Sequence, residues 1–180
     1  MANELLNKAI SGLSIQDVYL RECIITQKDS FDPKAPGYAE VEVQFLHRPA
    51  STKIVTVTIA GQDKQIKLLK AEFEAIFRIL PPKDASEAQA LEMHEVEIAD
   101  MDLAEQKAEV NVKALFIAEY LITSEDLEPA AIDEFCKFNV GYHVWPYWRE
   151  LTQSIGNRLR LPPIIPPFYR VPEKAQASKK

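Results

Sequence analysis

The sequence predicts an α+β domain: a small antiparallel sheet from the first two thirds of the chain and one long helix near the C-terminus. Three observations point there. Residues 13–26, 38–48 and 53–60 are rich in β-branched and aromatic residues, and the last two alternate apolar with polar positions, the period of a half-buried strand. Residues 110–122 set Val110, Val112, Ala114, Phe116, Ala118, Tyr120 and Ile122 on one strand face. From Val144 the apolar spacing changes to three and four residues, the period of a helix.

After a short amphipathic lead, the stretch LSIQDVYLRECIIT contains neither Pro nor Gly and reads as the first strand, closed by Asp29, Asp32, Pro33, Pro36 and Gly37. In the second, Val41, Val43 and Phe45 oppose Glu40, Glu42 and Gln44, and Pro49 is expected to end it. The third sets Val55, Val57 and Ile59 against Thr56 and Thr58, before turn residues Gly61, Gln62 and Asp63. Residues 66–80 fit a helical stripe (Ile66, Leu69, Phe73, Ile76, Leu80) and a strand face (Leu69, Ala71, Phe73, Ala75, Phe77, Ile79), and the strand is preferred. Pro81 and Pro82 stop that element, and residues 83–106 follow as an acidic, solvated excursion. Residues 110–122 carry too few polar positions for a surface helix and suit a central strand. Residues 123–142 are expected to be a long connection with exposed aromatic residues. In the helix that follows, Val144, Trp148, Leu151, Ile155 and Leu159 form the apolar stripe and Pro146 lies in the first turn. Four prolines between Leu161 and Phe168 impose an extended path, and residues 173–180 form a polar, disordered tail.

A chain of 180 residues, 47% hydrophobic, holds one domain, taken as residues 1–172. It has no signal-like N-terminus and no run of about 18 apolar residues, so neither export nor membrane insertion is expected, and the protein should be cytoplasmic. Cys23 and Cys136 lack metal-ligand spacing and should be reduced, buried thiols. A formal charge of −6 argues against nucleic acid. His47, His94 and His143 are scattered without i, i+4 pairing, so no metal site is expected. With five glycines and no GxSxG, phosphate loop or HExxH, the chain shows no catalytic motif and no need for a cofactor.

The segment WPYWRELTQSIGNRLRLPPIIPPF, residues 145–168, resembles the SecB family of bacterial chaperones, whose long helix opens on an aromatic-Pro-Tyr-x-Arg-Glu motif. Here Trp145, Pro146, Tyr147, Trp148, Arg149 and Glu150 occupy it. IQDVYLRE, residues 15–22, is similar to the family's first strand, and residues 32–36 to the turn after it. The resemblance implies a four-stranded, or slightly larger, antiparallel sheet with one long C-terminal helix at the subunit interface, in a homotetramer built as a dimer of dimers. It implies an ATP-independent holdase for unfolded polypeptides, with no enzymatic activity, serving Sec-dependent export or protecting the antitoxin of a toxin–antitoxin system.

By that resemblance the client-binding residues are Tyr19, Phe116, Tyr120, Phe135, Phe138, Val140, Tyr142, Trp145, Ile164, Ile165 and Phe168. Trp148, Leu151, Ile155 and Leu159 would form the oligomer interface, and spacing alone makes Trp148 core or interface rather than a client contact. Glu22 matches one acidic position at which export chaperones dock the translocase motor SecA. Thr26 and Lys113 stand where further acids would be expected. The competing readings are an oligomeric adaptor for one folded partner, and an enzyme built on Glu119, Arg149 and Glu150.

Overall fold

The computed structural model describes residues 2–34, 42–62, 64–81 and 105–170. The elements are helix α1 (Ala2–Gly12), strands β1 (Leu13–Gln27), β2 (Glu42–Thr58), β3 (Gln65–Leu80) and β4 (Val110–Ile122), and helices α2 (Pro129–Phe138) and α3 (Val140–Arg158). The strands form one antiparallel sheet in the order β1-β4-β3-β2. The ambiguous segment 66–80 is strand, and 110–122 is central, as expected. Leu69, Ala71, Phe73, Ala75, Phe77 and Ile79 of β3 lie beside Val110, Val112, Ala114, Phe116, Ala118 and Tyr120 of β4 and form the core with α2 and α3. The acidic stretch from 83 to 104 and the tail at 173–180 lie outside the described residues.

Two expectations are corrected. Residues 38–48 and 53–60 are not two strands divided by Pro49; the described part is the single strand β2, continuous through Pro49 to Thr58. β2 is an edge strand, so Pro49 can pair with Phe73 without donating to a neighbour on the other side. A register shift between Pro49 and Thr52 adds one residue to β2. Before it, Val43, Phe45 and His47 face the core side; after it, Thr52, Ile54 and Thr56 do, and Val55 and Val57 turn outward.

Residues 123–142, expected as a loop, are largely helical. Pro129 takes the first turn of α2 after an extended Glu128, where its missing N–H costs nothing. Ala131, Ile132, Phe135, Cys136 and Phe138 bury one face of α2. Helix α3 starts at Val140, so Pro146 lies inside it and removes the hydrogen bond to the Tyr142 carbonyl. The aromatic residues had suggested an exposed loop, but Phe135, Phe138, Tyr142 and Trp145 recur at three and four residues, which is helical spacing. Both thiols are free: Cys136 is buried and Cys23 half-buried. Burial, with the Asp133 carboxylate nearby, pushes the Cys136 thiol up to about 12.

Helix α3 ends in a hydrogen-bonded reversal. Leu161 N–H donates to the Gly156 carbonyl at 2.9 Å and Arg160 N–H to the Asn157 carbonyl at 3.3 Å. These are the paired bonds of a Schellman motif, with Arg160 in the left-handed position at φ 55°. The reversal sends residues 161–170 back along α3 as an extended strap. Leu161, Ile164 and Pro166 turn inward, while Pro163, Ile165 and Pro167 turn out.

Candidate functional site

The strap and α3 enclose an open groove of ≈ 700 Å³. Its walls are Tyr142, Trp145, Tyr147, Phe168 and Tyr169, with Ile15 of β1 and the polar ends of His143, Arg149, Glu150 and Gln153. Tyr142 is 62% exposed and Phe168 82%. Large apolar side chains exposed together mark a contact surface more often than scattered single ones do. The Arg149 guanidinium lies 5.2 Å from the Phe168 ring centre and holds that ring over the helix.

Below the groove, Trp145 Nε1 donates to the Pro167 carbonyl at 2.8 Å and fixes the strap. His47 stacks on Phe73 at 5.6 Å and meets the Trp145 and Tyr169 rings at 5.1 and 5.3 Å. Its pKa is lowered by the desolvation these rings impose. Tyr120 and His143 are 2.9 Å apart through Oη and Nδ1. Burial raises the Tyr120 phenol and lowers His143, each away from its charged form. Gly141 makes this packing possible: a Cβ there would stand 2.2 Å from the Tyr169 hydroxyl oxygen. A helical glycine costs about 1 kcal/mol relative to alanine, which the close approach of the strap explains.

Of the expected client-binding residues, Tyr142, Trp145 and Phe168 meet at the groove. Ile165 is 70% exposed on the outer side of the strap, and Ile164 is buried beneath it. Phe116, Tyr120, Phe135, Phe138 and Val140 are core residues of the single chain. Tyr19 lies on the opposite face of the sheet, where it donates to Glu119 at 2.8 Å. Of the expected interface residues, Trp148 is fully buried between Phe77 and Phe116, Ile155 is buried, and Leu151 and Leu159 are half-buried. The sequence reading missed Ile15, His143, Gln153 and Tyr169 as groove walls. Ile15 and Tyr169 are distant in sequence from α3, and no periodicity joins them to it.

The outer face of the sheet is a lattice of opposite charges. Glu74 accepts from Arg48 at 2.6 Å and Lys113 at 2.9 Å, Glu119 pairs with Lys70 at 2.5 Å, and Glu72 accepts from Arg21 and Ser51. Burial pushes the Glu74 carboxyl up, but hydrogen bonds from Lys113 and Arg48 outweigh it and leave the pKa below its ordinary value. The Lys70 bond leads in holding Glu119 down. Buried Arg78 reaches Asn111 and Glu105, each at 3.1 Å. Glu22 is exposed on this face opposite Leu115. Among the described residues no group of three or more His, Cys, Asp or Glu side chains is placed to hold a metal ion, and no helix is long and apolar enough to cross a membrane.

No protein-family model and no curated protein sequence matches this chain. Among solved structures it is similar to the Mycobacterium tuberculosis SecB-like chaperone Rv1957, in complex with a ChAD peptide from the Rv1956 HigA1 antitoxin. The match covers 94% of this chain and 99% of that one, with a TM-score of 0.63 and 14% sequence identity. The fold is SecB-like. It is a four-stranded antiparallel sheet backed by a long C-terminal helix, which agrees with the architecture implied by the motif at residues 145–150. A SecB-like fold positions a groove, and the side chains lining that groove must carry any statement about activity.

Proposed function

We propose that this protein is an ATP-independent chaperone of the bacterial cytoplasm that holds a non-native polypeptide of the antitoxin kind. The observation that carries this reading is the open aromatic groove between α3 and the strap. Many modest apolar contacts in such a groove give broad acceptance of unfolded segments. The fold is shared with a SecB-like chaperone solved with an antitoxin peptide, which favours this client class over preproteins for export. The outer face argues the same way. Its carboxylates Glu72, Glu74 and Glu119 are already neutralised by Arg21, Arg48, Lys113 and Lys70, so the exposed Glu22 has no free acidic cluster of these three around it for a partner such as SecA.

The assembly we propose is a homotetramer. β1 is an edge strand without proline and exposes Leu20, Ile24 and Ile25, whereas the other edge, β2, carries Pro49, the bulge, Arg48 and Lys53. Both edges are bulged and carry charges, but β2 is interrupted by Pro49, which has no N–H to give to a further strand, so β1 is the edge offered to a second copy.

The test is dilution of a chemically unfolded protein into buffer with the purified chain and no nucleotide, followed by light scattering. Aggregation should be suppressed near one oligomer per client, and Tyr142→Ser with Phe168→Ser should weaken suppression severalfold at unchanged thermal stability. Unchanged aggregation beside a well-folded oligomer would refute the proposal and favour an adaptor for one folded partner.

A further inference from the structure

The strap ends on Tyr169, whose ring is held more specifically than an apolar contact requires. The Trp145 ring centre lies 5.3 Å from it and the His47 ring also 5.3 Å. Phe73, stacked on His47, closes the bottom of this arrangement. At the far end the hydroxyl rests on Gly141, where a Cβ would stand 2.2 Å from the oxygen and 2.5 Å from Cζ. The result is a socket shaped by three rings and one glycine for a flat ring with a para substituent. Tyr169 and Trp145 also line the open groove, so socket and groove are continuous.

The occupant is lightly attached. Residues 161–170 form neither helix nor strand, and the four prolines among them have no N–H to donate. Beyond the turn at Leu161, the hydrogen bond that ties this stretch to α3 is the one from Trp145 to the Pro167 carbonyl. Leu161, Ile164 and Pro166 anchor the strap, but its end from Pro167 to Arg170 has exposed or half-buried side chains and, among the described residues, that one main-chain bond, so the end opens more readily than the core beneath it. Its opening uncovers Trp145 and Gly141 and frees the face of the exposed His47 ring that meets Tyr169, without disturbing the sheet.

We infer that this socket is a binding subsite for an aromatic side chain of a polypeptide client, occupied in cis by Tyr169 until a client displaces it. The inference rests on the chaperone reading and narrows it: favoured clients are extended apolar segments containing tyrosine or phenylalanine. The strap supplies the pattern, an extended run with an inward apolar residue, a carbonyl for Trp145 and then a ring.

The probe is a fluorescein-labelled peptide with the sequence of residues 162–170, PPIIPPFYR, added in trans to the full chain. If Tyr169 fills the socket more than nine-tenths of the time, Tyr169→Ala should bind the peptide at least about tenfold more tightly than the unaltered protein. Against Tyr169→Ala, a peptide with alanine at the tyrosine position should lose about the same factor, and one with phenylalanine should keep most of it. Gly141→Ala in the Tyr169→Ala background should abolish the preference for the ring. Because the peptide series needs only the variant at a half-exposed position, the test survives even if Gly141→Ala unfolds the helix. Equal binding by the unaltered protein and Tyr169→Ala, or indifference to the peptide's ring, overturns the subsite. If the peptide binds through its ring but no unfolded protein is kept from aggregating, the chaperone reading has failed. The socket is then an internal latch, and the client assignment is overturned with it.

Discussion

The Glu74 site on the outer face should respond unequally to loss of its two kinds of partner. Its carboxylate is 10% exposed, whereas Arg48 and Lys113 are 58% and 43% exposed. In Glu74→Leu the two cations swing into water, and the new side chain lies against Leu115, its cross-strand neighbour. Replacing a paired buried charge by an apolar residue of similar volume is close to neutral, so the change should stay within about 1 kcal/mol. The double substitution Arg48→Met with Lys113→Met leaves a carboxylate that water barely reaches. Losing two charge-assisted bonds to a poorly solvated acid should cost about 2–3 kcal/mol at pH 7. The pH dependence separates the two cases. In the unaltered protein the folded pKa of Glu74 is depressed, so its contribution is present above the unfolded value and lost as pH falls through the folded one. With the cations removed, desolvation remains and raises the folded pKa, so the penalty stands at neutral pH and is relieved as pH falls towards the unfolded value. Urea denaturation from about pH 2 to about pH 8 reads both. A larger loss for Glu74→Leu than for the double variant would refute the account of this face as a self-neutralised lattice, as would parallel pH profiles of the double variant and the unaltered protein.

Arg160 sits at φ 55° in the helix-ending turn, so Arg160→Gly should stabilise by about 0.5–1 kcal/mol in urea denaturation with no change of slope. Trp148 is fully buried and its Nε1 finds no hydrogen-bond acceptor, so Trp148→Phe trades a small cavity against removal of an orphaned donor. It should cost under about 1.5 kcal/mol, against about 3–5 kcal/mol for Trp148→Ala. Ile24→Lys on the β1 edge should lower the assembly mass by light scattering without loss of secondary structure; an unchanged mass removes β1 from the assembly surface.

The strands were legible wherever one face is buried throughout. β3 and β4 sit in the middle of the sheet, and their core-side residues alternate without a break. The edges were harder because bulges change the period: the extra residue after Pro49 turns Val55 and Val57 outward, and shifts between Ile15 and Asp17 and between Leu20 and Glu22 do the same in β1. Pro49 was read as a stop because proline interrupts a central ladder, and the sequence alone does not reveal that the strand is an edge. The apolar and aromatic residues from Ile132 to Tyr142 were read as loop residues because Pro129 and Gly141 lie in the same stretch. Pro129 instead starts a helix, and Gly141 makes room for a ring 28 positions away. That last contact is the part of the site no local pattern encodes.

Two sets of exposed apolar residues differ in backbone chemistry, and the difference bears on what each can bind. Along β1, Leu20, Ile24 and Ile25 flank a strand at the edge of the sheet, whose outward N–H and C=O groups call for another strand in fixed register. At the groove, Tyr142, Tyr147 and Phe168 project from a helix that bonds internally and from a strap rich in prolines. Little main-chain pairing is on offer there, so the client proposed above would be recognised through its side chains, with no register imposed on its backbone. Register-specific pairing suits a copy of the same chain, and register-free side-chain contact suits unfolded polypeptides. On the proposed reading, a single small domain would separate assembly from client binding by giving one surface a backbone ladder and the other a set of rings.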